Sequence, residues 1–190
     1  MIAALGATTL QPAIARATDV AAASAADRRG DIAILRQALT LHPGLYRYNS
    51  PRQIAGRIDR LETDFVAAES LDAQYLLLAQ FLASIRCGHS YANFSNQKKS
   101  VASALFDRPT RLPFLFRWIG TDMIVLREPT GVLPPGTTIR RINGVPAQAM
   151  LRRLMPYVRA DGHNDSKRIS LLPAASTRSV FARPMVATRR

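Results

Sequence analysis

Residues 85–94, IRCGHSYANF, divide this chain into two halves of different periodicity, and that division constrains the fold more than any other feature. Before it, apolar residues recur at helical spacing. After it come short apolar runs separated by Gly, Pro and Asn turn signals. Neither a pure bundle nor a pure sandwich accommodates both patterns. The expected class is α+β, an N-terminal helical bundle followed by a small β-rich module.

The helical half carries clear start and stop signals. Ile32, Leu35, Leu39 and Leu41 predict a first helix over residues 27–41, stopped by His42-Pro43-Gly44. In the connection that follows, Tyr46 and Tyr48 suit rings that cover a helix end. Ser50 and Pro51 are a good N-cap and first helical residue, and Ile54, Ile58, Leu61 and Phe65 then form one apolar face. Ser70 opens a third helix with a main stripe of Leu71, Tyr75, Leu78, Leu82 and Ile85, widened by Leu76, Leu77 and Phe81. A stripe this wide needs cover on more than one side. That helix is expected to be central, with the core around Leu78, Leu82 and Ile85, and Gly88 is expected to supply its left-handed terminating residue. Asn96 is the expected cap of a short fourth helix that turns Val101 and Leu105 inward.

Beyond it, residues 112–116 and 123–126 read as two strands around the Gly120-Thr121-Asp122 turn. A third strand is expected over residues 137–142, ended by Asn143-Gly144, then a helix over residues 147–154 that stops at Pro156. Asn164 is placed to cap a last helix through Leu172. Residues 173–190 lose all periodicity and hold four Arg without an acid, which reads as a basic disordered end or a shifted reading frame.

At 190 residues and 47% hydrophobic, the chain can bury a sizeable core in one domain or two small ones. No run approaches the ~20 apolar residues of a membrane-spanning helix. The single cysteine, Cys87, excludes an internal disulfide. The net charge of +13 is concentrated after residue 110, where 14 Lys/Arg face 4 Asp/Glu. These charges are scattered singles and pairs with no nucleic-acid-binding motif, so sequence-specific binding to nucleic acid is not expected. Residues 1–27 form an Ala-rich leader. Its A-x-A pattern at Ala15 and Ala17 fits either the remnant of a signal peptide or a plain leader.

The residues that bear chemistry gather at the junction. His89 follows a strongly apolar helix on a loop, where catalytic groups often sit, although a buried structural imidazole fits the same position. Ser90 beside it reads as a structural hydrogen-bonding residue, and Cys87 as a small apolar filler at the helix end. His42, His89, His163 and Cys87 show no ligand spacing such as C-x-x-C or H-E-x-x-H, so no metal is expected, and no cofactor. Residues 159–165, RADGHND, read as a polar loop that caps a helix.

Three stretches in one order, DIAILRQALTLHPGLYRYNSP, IRCGHSYAN and LPPGTTIRRINGVPA, resemble the N-terminal part of the tail-specific, or carboxyl-terminal-processing, serine peptidases and their tricorn-type relatives. The resemblance covers roughly residues 31–172. It implies a helical domain over residues 28–108 and a PDZ-like module over residues 109–172 that takes the C-terminal segments of peptides or proteins. It also implies an exported protein, periplasmic or extracellular. His89 matches the histidine that serves tricorn-type relatives as general base, though the residue before it is Gly88 where tricorn has Ser, and another branch uses a lysine instead. The family's nucleophile and oxyanion donors lie in a catalytic domain that would follow residue 172, and nothing here stands in for them. The expectation is a truncated peptidase, inactive alone; the alternative is a non-enzymatic peptide-binding or assembly module.

Overall fold

Three serines set the helical half in place. In the computed structural model, which describes residues 23–93, 96–107 and 112–176, each of the first three helices starts at a serine cap. The Ser24 and Ser50 hydroxyls accept the N–H of Asp27 and Gln53, whose side chains accept the Ser24 and Ser50 N–H groups in return. These caps open α1 (Ala25–Thr40) and α2 (Pro51–Ala67). Ser70 caps α3 (Leu71–Ser84) through the Ala73 N–H. A fourth helix, α4 (Lys99–Phe106), starts at Lys98 with no side-chain cap, so Asn96 does not play that part.

Ile32 and Leu39 of α1, Leu45 of the connection after it, Ile54, Ile58 and Leu61 of α2, and Phe81 and Ile85 form the helical core. Leu35, Phe65, Leu77 and Leu82 pack around it. Two expectations need correction. Leu41 is 83% exposed, because α1 ends one residue earlier and the chain turns away. Leu78 is only half-buried; Phe81 and Ile85 hold the centre, Ile85 with no exposed surface. α3 is nonetheless central, since Ala79 and Ala83 are buried on the side opposite Phe81 and Ile85.

The other half is a second core around a hairpin. β1 (Leu115–Ile119) pairs antiparallel with β2 (Asp122–Arg127) across Gly120-Thr121, where Gly120 takes φ +58°. The first strand thus lies about three residues later than its apolar run suggests, and Phe116 and Trp118 alternate inward. β3 (Thr138–Ile139) adds to β2, while β4 (Arg141–Ile142) turns back onto β5 (Val145–Pro146). The single strand expected over residues 137–142 is therefore broken at Arg140. Asn143 and Gly144 both take positive φ, as a type I′ turn needs. α5 (Ala147–Leu154) buries Ala147, Met150, Leu151 and Leu154, and a 3-10 turn (Met155–Tyr157) carries Pro156. α6 (Asp165–Ser176) follows, capped by Asn164, which accepts the Lys167 N–H, and runs four residues past Leu172. Phe116, Trp118, Met123, Met150, Leu154 and Leu172 close this second core.

The fold is therefore mixed α+β, with small antiparallel sheets. The 3-10 turn packs on α3 and joins the halves. Helix α1 begins inside the stretch assigned to the leader, and α6 reaches into the one assigned to the tail. The rest of both, including Ala15 and Ala17, lies outside the described residues. Among the described residues, no helix is long and apolar enough to cross a membrane.

Candidate functional site at the seam

The loop after α3 is the centre of the seam, and its backbone is held by polar groups from three directions. Helix α3 leaves its last carbonyls without intrahelical partners. Arg57 donates to Ser84 O at 2.9 Å, and buried Asn49 donates to Ile85 O at 3.0 Å while accepting from Arg57 at 2.7 Å. The Gly162 N–H, from the loop before α6, donates to Arg86 O at 2.9 Å. These bonds compensate an unusual backbone. Arg86 takes φ +63°, so it and not Gly88 supplies the left-handed residue after the helix. Gly88 is a glycine for another reason: a Cβ there would stand 2.7 Å from Asp161 Oδ2.

Asp161 is what the open space over Gly88 accommodates. Its Oδ1 accepts the Gly88 N–H at 2.8 Å, across 73 residues of sequence, and its Oδ2 lies 3.4 Å from Lys167 Nζ. The Gly88 N–H, with smaller help from Lys167, holds the Asp161 carboxyl below the usual carboxylate range. The carboxylate stands over the glycine, near the side chains of the residues that flank it. Ligand-type atoms of Cys87, His89 and Asp161 all lie within 4.8 Å of one another. His89 and Asp161 are exposed; Cys87 is partly buried and packs on the helical core.

Ser90 and His42 form a separate pair. His42 Nδ1 accepts the Gly44 N–H at 3.1 Å, so the ring proton sits on Nε2 and is donated to Ser90 Oγ at 2.8 Å. A histidine that activates a serine must accept from it. Here the direction is reversed, which makes the bond structural, in line with the sequence reading of Ser90. His163 lies away from both groups, its ring edge-on to Tyr48 at 6.5 Å. Tyr48 covers Gly162, while Tyr46 is exposed. Arg159 stacks on Tyr91 with its guanidinium carbon 3.4 Å from the ring centre. The 159–165 loop thus does cap α6 through Asn164, and it also clasps the 85–91 loop.

Sequence reasoning singled out His89 and Cys87 but missed Asp161 as their neighbour. The Asp161-Gly162 dipeptide announces a turn, yet no spacing rule links it to a loop so far upstream. A second feature lies at the sheet edge. Among the described residues the outer side of β1 is unpaired, and beside it a groove of about 380 Å³ is lined by Leu112, Pro113, Phe114, Leu115, Arg127 and Pro129. Compared with family models, with curated proteins and with solved structures, the chain finds no match.

Proposed function

We propose that this chain is the peptide-capturing, N-terminal helical plus PDZ-like portion of an exported serine peptidase of the tail-specific type. The observation that carries the reading is the edge of β1, which no strand pairs among the described residues, beside an apolar groove with Arg127 at its side. An extended peptide adding to such an edge gains main-chain hydrogen bonds, the apolar pocket selects side chains, and a guanidinium matches a terminal carboxylate. His89 suits the part of general base on this reading. It is exposed on a loop pinned between the two halves, and a neutral imidazole can accept a proton from a serine. The nucleophile and oxyanion donors then come from a catalytic domain not contained in the described residues, and these residues alone hydrolyse nothing.

A non-enzymatic peptide-binding module is the second reading: it uses the same sheet edge and groove and needs no serine, and the Ser90–His42 bond supplies no activated one among the described residues. Peptide titration followed by NMR tests what both share. Peptides with a free C-terminal carboxylate should perturb β1 and Arg127, amidated ones should bind more weakly, and Arg127→Ala should remove the difference. Equal binding of both forms, or perturbation elsewhere, overturns the capture site. To separate the readings, the histidine equivalent to His89 is replaced by Asn in a peptidase that carries this arrangement along with its catalytic domain. Lost turnover at unchanged Tm supports the base role, and normal turnover removes it.

A further inference from the structure

We infer that Cys87, His89 and Asp161 form a binding site for a thiophilic divalent cation of the zinc class. The three side chains offer sulfur, imidazole nitrogen and carboxylate oxygen, the donor set that such ions favour over calcium or magnesium. Their ligand atoms lie within 4.8 Å of one another. Around a tetrahedral zinc, such atoms sit about 3.3–3.6 Å apart, so a small inward rotation of exposed side chains completes the site.

The surroundings are arranged for that approach. Gly88, between the two ligands on the 85–91 loop, has no side chain where Asp161 stands. Its N–H holds Asp161 Oδ1, as the outer partner of a metal-bound carboxylate does, and so fixes the carboxylate beside the other two groups. The Gly162 N–H to Arg86 O bond fixes the second loop against the first. Lys167 pairs with Oδ2 and opposes a cation there, on an exposed side chain free to move aside. Three protein ligands leave a fourth position for water. On binding, the Cys87 thiol releases its proton to solvent and coordinates as thiolate, so affinity falls as pH falls.

The site does not rest on the peptidase reading, since its readout needs only this chain, and a cation bound here would take the His89 nitrogen that the base role uses. The probe is cobalt(II) added to the full chain, followed by thiolate-to-cobalt charge transfer and displaced by zinc. A saturable one-to-one band with a tetrahedral visible spectrum is expected. Cys87→Ser should abolish the band. His89→Gln and Asp161→Asn each remove a ligand and should weaken binding by at least the roughly 10–100-fold that loss of an outer partner costs. Gly88→Ala should weaken it by displacing the carboxylate, and Lys167→Ala should tighten it several-fold. Circular dichroism of each variant confirms that it is folded. No band at millimolar cobalt in the folded wild type overturns the site. So does a band that His89→Gln and Asp161→Asn leave intact, because the thiol would then be acting alone.

Discussion

The two halves of this molecule are stabilised on different length scales. In the helical half, the helix bonds close within four residues and each of the first three helices is opened by a serine within a three-residue reach. In the β half, strands as short as two residues hold together only through partners, and the core draws Phe116, Met150 and Leu172 from separated segments. The difference teaches where stability is local and where it is borrowed. The seam is borrowed structure on both sides, since each loop there relies on the other for its hydrogen bonds.

The largest effects test whether the two cores are one cooperative unit. Ile85→Ala and Met150→Ala each empty a fully buried position, one per core, and each should cost about 2–5 kcal/mol in denaturant unfolding. Because the 3-10 turn packs on α3, both should move a single transition. Two transitions, each sensitive to one variant only, would break the molecule into independent domains.

Next comes the seam itself. Gly88→Ala should cost about 1–3 kcal/mol, because the new Cβ drives the Asp161 carboxylate away and leaves the residue 88 N–H without its acceptor. In the helical half the same type of change should act in the opposite sense. Gly30 lies within α1 with nothing near its missing Cβ, so Gly30→Ala should stabilise by about 0.5–1 kcal/mol. Equal losses at both positions would mean that the seam imposes no special demand.

The smallest effect is an acid sensitivity. The Gly88 N–H depresses the Asp161 pKa in the folded chain, so its contribution is complete above the ordinary aspartate value of about 3.9 and disappears as pH falls through the depressed one. Wild type should exceed Asp161→Asn in stability by a constant margin near neutrality. Below about pH 4 that margin should shrink. A margin that grows in acid would show that the carboxylate opposes the seam.

Much of the fold was legible because its signals are short-range. Ser50-Pro51, Ser70, Asn143-Gly144 and Asn164 act on groups two to four residues away, and all four behave as their chemistry predicts. The errors have a common cause as well. Apolar periodicity marked Leu78 and Leu41 as core without saying which neighbour would arrive to cover them. Gly88 was read for its backbone freedom, whereas it is used for the absence of its side chain. Of the site, His89 and Cys87 were visible as a loop cluster, and Asp161 was not.

By itself, then, the sequence determined the class, the order of helices and strands, and most of their ends, because capping and turn chemistry are complete within a few residues. Only the tertiary structure decided which side of α3 faces the helical core, where the left-handed residue after it falls, and that Asp161 meets Cys87 and His89. Those outcomes depend on loops 73 residues apart meeting at one seam, and nothing local encodes such a meeting. Packing of the 3-10 turn on α3 holds the two halves together where they meet.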